Sequence, residues 1–202
     1  VYQAGATFAG GRCVYMPLRQ ENNFLPDLGK IPKKVLDKTR LMFLNYPNNP
    51  TSAVADIAFF RDVARLAKRH GIIVAHDAAY SEVYFEGKKP VSFFHADGAR
   101  DVGIEFHSLS KTYNMTGWRI GFAVGRAQII SGLGRVKTNI DSGAFQAVQW
   151  AGIMALEGDQ RCCDEMRSLY QGRRDALISG LKKAGLDPIV PLATFYVWMG
   201  VP

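Results

Sequence analysis

Apolar, β-branched runs alternate with helix-spaced segments along this chain, and that alternation restricts the fold more than any other feature. "TRLMFLNYP" (39–47), "GIIVAHDAAY" (71–80), "DVGIEFHSLSK" (101–111) and "IGFAVG" (120–125) have the make-up of buried strands. "CVYMPL" (13–18) reads as one more. Between them, "DIAFFRDVARLAKRH" (56–70) repeats apolar residues at Phe60, Val63, Ala64 and Ala67, the inner face of a helix. Lys68, Arg69 and His70 fall in its last turn, where the helix dipole favours cations, and Gly71 is placed to end it. Further helices are expected over 127–137, 144–157 and 159–184, the last closed by Gly185. Strands alternating with helices predict an α/β fold, a three-layer αβα arrangement with a mostly parallel sheet.

In such a sheet the functional crevice lies at the carboxyl ends of the strands. The polar clusters "NYPNNPTS", "HDAAYSE" and "HSLSKT" each follow an apolar strand, so three segments distant in sequence should meet in one place. Together they offer an amine (Lys111), hydroxyls (Ser108, Ser110), a guanidinium (Arg119), a carboxylate (Asp77), a phenol (Tyr80) and a carboxamide (Asn49).

The bulk numbers exclude several other classes. With 202 residues, 48% hydrophobic and 21% charged, the chain can bury one sizeable core. No apolar run approaches the ~18 residues that span a bilayer, so no membrane partner is expected. The net charge is +7, but Lys and Arg are scattered in short clusters such as "KKVLDK", which read as solvated faces and not as a nucleic-acid surface. Three cysteines, Cys13, Cys162 and Cys163, make neither a disulfide framework nor a zinc spacing. They suit a reducing compartment, hence the cytoplasm, and the adjacent pair reads as small buried hydrophobes in a helix. His70, His76, His95 and His107 are spread out, so no metal site is expected. Neither a dinucleotide fingerprint nor a Walker loop is present.

Each polar residue alone has a plain structural reading. A lysine after a strand snorkels, "NNPT" makes a turn, and a lone arginine forms a surface ion pair. Their joint occurrence points to a ligand. Arginine and serines suit a phosphate, a lysine that can be neutral forms a Schiff base with a carbonyl, and a carboxylate suits a protonated ring nitrogen. Pyridoxal 5′-phosphate carries all three handles.

"NNPTS", "DAAYSEVYF" and "SLSKTYNMTGWRIGF" together strongly resemble the class I/II aminotransferases, the fold-type-I pyridoxal-phosphate enzymes, and the whole chain lies along that family's large domain. The resemblance implies a pyridoxal-phosphate-dependent aminotransferase. Such enzymes move an amino group between an amino acid and a 2-oxo acid by a ping-pong route, and they are homodimers. Lys111 matches the lysine that holds the cofactor covalently and later moves the proton. Asp77 matches the partner of the pyridinium nitrogen, and Tyr80 with Asn49 the pair that hydrogen-bonds the ring oxygen. Ser108 and Arg119 match the phosphate binders, with Ser110 a lesser candidate, and Tyr2 aligns behind the aspartate. The resemblance also implies that residues 1–190 form part of a large cofactor-binding domain and 191–202 begin a small one. In keeping with that, "TFYVWMGVP" ends the sequence without a closing helix, and a piece of a longer chain is expected. Trp118, Phe122 and Phe106 are expected in the core. One departure stands out: the family commonly has glycine after "NPT", and here Ser52 follows, which opens the question of the local backbone path. "YPNNPTSAVA" and "IDSGAFQAVQWAGIMAL" are closest to the LL-diaminopimelate branch, with alanine or aspartate aminotransferases the near alternative. Other chemistry on the same scaffold, such as a C–S lyase or a decarboxylase, shares these residues, as does a cofactor-binding sensor domain of a transcription regulator.

Overall fold

The computed structural model describes residues 2–201. Two short helices, α1 (Tyr2–Phe8) and α2 (Lys33–Leu36), precede β1 (Leu41–Asn45). Then α3 (Ile57–His70) leads to β2 (Ile73–Asp77), and α4 (Ala99–Val102) to β3 (Gly103–Ser108). After α5 (Leu109–Thr112) come β4 (Gly121–Gly125), α6 (Ala127–Lys137), α7 (Gln146–Glu157) and α8 (Arg161–Lys183). The strands form one sheet in the order β1-β2-β3-β4. β1, β2 and β3 are parallel, and β4 returns antiparallel to β3. This is the mostly parallel α/β sheet that the alternation predicts. Asn45 is in register with Asp77, and Asp77 with Phe106, so the polar strand ends lie side by side.

The local sequence accounts for α3. The Asp56 carboxylate accepts the Phe59 N–H at 2.8 Å, which satisfies one of the orphan donors at the helix start. At the other end Gly71 takes φ 64°, a conformation glycine enters at no steric cost. Phe60, Val63, Ala64 and Ala67 are buried against Met42, Leu44 and Val74 of the sheet. Burying side chains of the larger kind contributes about 1.5–3 kcal/mol each. Strand alternation puts His76 on the same side, 5.1 Å from the Phe60 ring. Phe43 points to the other face, where the Tyr2 ring of α1 stacks on it at 4.8 Å.

Past α8 the chain returns to the sheet's polar end. The Phe85 N–H donates to the Leu192 carbonyl and the Thr194 N–H to the Val83 carbonyl, at 3.0 and 2.8 Å. Arg174, 7% exposed, anchors this junction, donating to the Pro191 carbonyl and to Glu86 while its guanidinium lies over the Phe85 ring.

Three expectations need correction. Residues 13–18 form no strand: they have no partner strand among the described residues, and Val14 and Tyr15 are exposed. The described chain opens instead with a helix, α1. Trp118, in the turn before β4, and Phe122, on β4, are exposed, and Phe106 on β3 is half-buried; β4 is the last strand of the described sheet, so the Phe122 side chain finds little to pack against among the described residues. Of the cysteine pair only Cys163 is buried, since adjacent helix positions face different ways; Cys162 is exposed.

Candidate active site

The carboxyl ends of β1, β2 and β3 each deliver part of the site. Asn45, the last residue of β1, uses both ends of its carboxamide: Nδ2 donates to the Asp77 carbonyl and Oδ1 accepts the Asn49 N–H, each at 2.9 Å. It thereby fixes the loop carrying Asn49 to the end of β2. Asp77 ends β2, and its Oδ2 accepts the Tyr2 hydroxyl at 2.5 Å. Burial, and then the bond to Asp77, push the Tyr2 phenol well above its ordinary pKa, so it remains a protonated donor.

Tyr80, three residues on, is buried, and its phenol oxygen lies 2.7 Å from that of Tyr196. Asn49 Nδ2 makes a longer contact, 3.4 Å, to the same Tyr196 oxygen. Burial raises the Tyr80 pKa, the Tyr196 hydrogen bond adds to the rise, and Asn49 opposes it. From β3, the Ser108 hydroxyl caps α5 by accepting the Ser110 N–H at 3.2 Å. One turn later Lys111 brings Nζ to 3.4 Å from Ser108 Oγ and 5.6 Å from the centre of the Tyr80 ring. Ser110 is buried, and its carbonyl accepts the Thr116 hydroxyl. Arg119 adopts φ 54°, and its guanidinium donates to the Thr116 carbonyl at 2.8 Å.

The three segments therefore converge. Asn49 and Tyr80 meet at Tyr196, Lys111 reaches Tyr80 and Ser108, and Asp77 is tied to Asn49 through Asn45. Arg119 joins only at the edge, through Thr116. Three contributors escaped the sequence reading. Asn45 lay at the end of a strand run with no role assigned, Tyr196 sat in an apolar run, and Ser52 drew notice only as a departure. The signal for Asn45 was its place at a strand end, level with Asp77. Ser52 takes φ 62°, the left-handed region that glycine enters freely, so the serine keeps the backbone path a glycine would follow.

A second cavity of about 560 Å³ shares Ser108 with the site and is lined further by His107, Tyr113, Cys163 and Arg167 among others, while Lys111 and Asp77 take no part in it. Burial, then the neighbouring Cys162, push the Cys163 thiol up to about 11, which leaves it un-ionised at neutral pH.

The donor set at the strand ends fits pyridoxal 5′-phosphate. Neither Lys111 nor Arg119 forms an ion pair among the described residues, so both cations remain available to an anionic ligand. An amine, a carboxylate and a phenol–carboxamide pair are grouped as a ligand with an aldehyde, a ring nitrogen and a ring hydroxyl requires.

A mostly parallel α/β sheet with a lysine, an aspartate and a tyrosine gathered at its strand ends defines a pyridoxal-phosphate-dependent transferase scaffold. The sequence profile of the family "Aminotransferase class I and II" matches residues 1–202, and the chain belongs to that family. The LL-diaminopimelate aminotransferases of Syntrophobacter fumaroxidans and Moorella thermoacetica are 60% and 55% identical to it over 202 residues, 100% of this chain and 52% of each relative. Substrate-bound BacF from Bacillus subtilis superposes with a TM-score of 0.93 at 44% identity, over 100% of this chain and 51% of that one. An aspartate aminotransferase double mutant from Thermus thermophilus gives 0.87 at 32% identity, over 96% and 50%. The chain spans about half the length of the curated relatives it matches.

Proposed function

We propose that this chain belongs to an enzyme that uses pyridoxal 5′-phosphate to move an amino group between LL-diaminopimelate and 2-oxoglutarate. The observation that carries the substrate is the likeness to the LL-diaminopimelate aminotransferases, 60% and 55% identical along the whole chain. The chemistry rests on the side chains. Bound pyridoxal phosphate would supply an aldehyde for the amino group and a ring that accepts electrons. Lys111 holds the cofactor and carries the proton to and from the substrate Cα. Asp77 keeps a proton on the ring nitrogen, and the Tyr2 hydroxyl at 2.5 Å fixes the orientation of its carboxylate. Tyr80 and Asn49 donate hydrogen bonds to the ring oxygen. Ser108, Ser110 and Arg119 hold the phosphate, Arg119 through the fork of donors that suits phosphate oxygens.

The reading extends to a homodimer in the cytoplasm, with residues from about 191 onward entering a second, smaller domain. All three cysteines are free, which suits a reducing compartment. No helix among the described residues is long and apolar enough to cross a membrane. The test is a coupled assay of the cofactor-loaded protein with LL-diaminopimelate and 2-oxoglutarate, run beside alanine and aspartate as amino donors. Glutamate formation with LL-diaminopimelate above that with the other two is the expected result. Equal or greater activity with alanine or aspartate would reject the substrate.

A further inference from the structure

Tyr196 is held in the site by a chain of hydroxyls whose direction is fixed. The Ser52 hydroxyl lies 2.8 Å from the Tyr196 carbonyl, which can only accept, so the single Ser52 proton is spent there. Thr194 Oγ1 lies 2.6 Å from Ser52 Oγ and must donate to it. The Tyr196 N–H closes the loop by donating to Thr194 Oγ1 at 3.2 Å. Ser52 and Thr194 are 6% and 0% exposed, with φ 62° and 64°, so this clip is buried and made by two residues in the left-handed region. It binds the Asn49 loop to the segment that lies beside Val83, and Phe195 packs edge-on to the Tyr80 ring at 5.5 Å. A glycine after "NPT" would keep the turn and lose the clip.

The result is a phenol placed between Tyr80 and Asn49, at 2.7 and 3.4 Å. Asn49 Nδ2 can only donate, so the Tyr196 oxygen accepts there. We infer that Tyr196 is a positioning residue for the cofactor's ring oxygen: with the cofactor bound it donates its proton to Tyr80 in place of receiving one, which leaves the Tyr80 proton pointing at the ligand, and Ser52 with Thr194 sets its place. The inference rests on the proposed pairing of Tyr80 and Asn49 with that oxygen. A donor that is itself receiving a hydrogen bond is polarised and donates more strongly. Tyr196 therefore strengthens the hold on the anionic ring oxygen without touching the reacting carbon.

The consequence is read from the visible band of the bound cofactor, whose pH midpoint reports how much charge the ring oxygen retains. With one donor weakened, more charge remains to hold the neighbouring proton, and the midpoint moves up. Cofactor-loaded Tyr196→Phe should shift it upward by about half a unit to one unit, the scale of one hydrogen bond. Ser52→Gly, which keeps the backbone path and removes the clip, should shift it the same way by less. Tyr80→Phe is the companion measurement. If Tyr80→Phe shifts the midpoint and Tyr196→Phe does not, the role of Tyr196 is overturned while the cofactor reading stands. If neither shifts it, the pairing with the ring oxygen falls as well. Tighter cofactor binding by Tyr196→Phe at an unchanged midpoint would also overturn the inference, because the phenol would then be competing with the ring oxygen for its place.

Discussion

The Tyr2 hydroxyl and the Asp77 carboxylate meet at 2.5 Å, although 75 positions separate them in the chain. Tyr2 reaches across because its ring is stacked on Phe43 of the neighbouring strand, so the hydroxyl is aimed by packing and the carboxylate by the end of β2. Asp77→Asn should keep the cofactor bound and slow each half-reaction by at least about a hundredfold, the scale of losing one preorganised electrostatic partner. Tyr2→Phe should slow them by about tenfold, since it removes one hydrogen bond to a charged group. Stopped-flow spectra of the half-reactions, with cofactor content measured after gel filtration, give both numbers. Near-normal rates in Asp77→Asn would remove this carboxylate from its assigned role.

Lys111 is the second test. Borohydride reduction of the cofactor-loaded protein should fix the label to one peptide, the one containing Lys111, as mass mapping would show. Lys111→Ala should abolish the label and lower turnover by about 10²–10⁴-fold, the range of a lost proton carrier. A label on any other lysine would overturn the assignment.

Glu105 gives a prediction in pH. Its carboxylate is 2% exposed, and burial alone would raise its pKa. His107, His76 and Ser92 outweigh that and hold it well below the usual carboxylate range: His76 Nδ1 lies 2.8 Å from Oε1, and the Ser92 hydroxyl 2.8 Å from Oε2. A depressed folded-state pKa means that the unfolded chain binds the proton first. The associated stability is complete above the unfolded value, about 4.3, and drains away as acid takes the pH down toward the folded one. Urea midpoints should therefore fall steeply below about pH 4.3 in the parent protein. Glu105→Gln should remove part of that slope and cost about 1.5–3 kcal/mol at neutral pH, the scale of hydrogen bonds to a charged group. An unchanged acid slope in the variant would show that other carboxylates dominate.

Gly103 begins β3 under a close ceiling. A Cβ there would stand 2.5 Å from Phe93 Cε1 and 2.9 Å from the Ala99 carbonyl oxygen. The phenyl ring is fully buried and the carbonyl is backbone, so neither can yield cheaply. Gly103→Ala should cost about 1–3 kcal/mol in chemical denaturation. A variant as stable as the parent would mean that the strand shifts to accommodate the methyl group.

Much of this was legible from the residues alone. Period and punctuation determined α3 and its Gly71 stop, because both signals act within a few residues, while the Asp56 cap became visible only in the structure. The alternation determined a mostly parallel sheet, and the polar clusters at the ends of β1, β2 and β3 marked where chemistry would gather. The run 13–18 misled for the converse reason: strand propensity is satisfied only when another strand supplies hydrogen bonds, and no local pattern says whether one is there. The same limit applied to Trp118 and Phe122, whose burial depends on what packs against them and not on their own hydrophobicity. Tertiary structure alone decided that Asn45 would tie Asn49 to Asp77, and that Ser52 and Thr194 would carry Tyr196 to within 2.7 Å of Tyr80. Those contacts join residues from 4 to 144 positions apart, and what fixes them is the direction of a side chain in three dimensions, which periodicity does not encode.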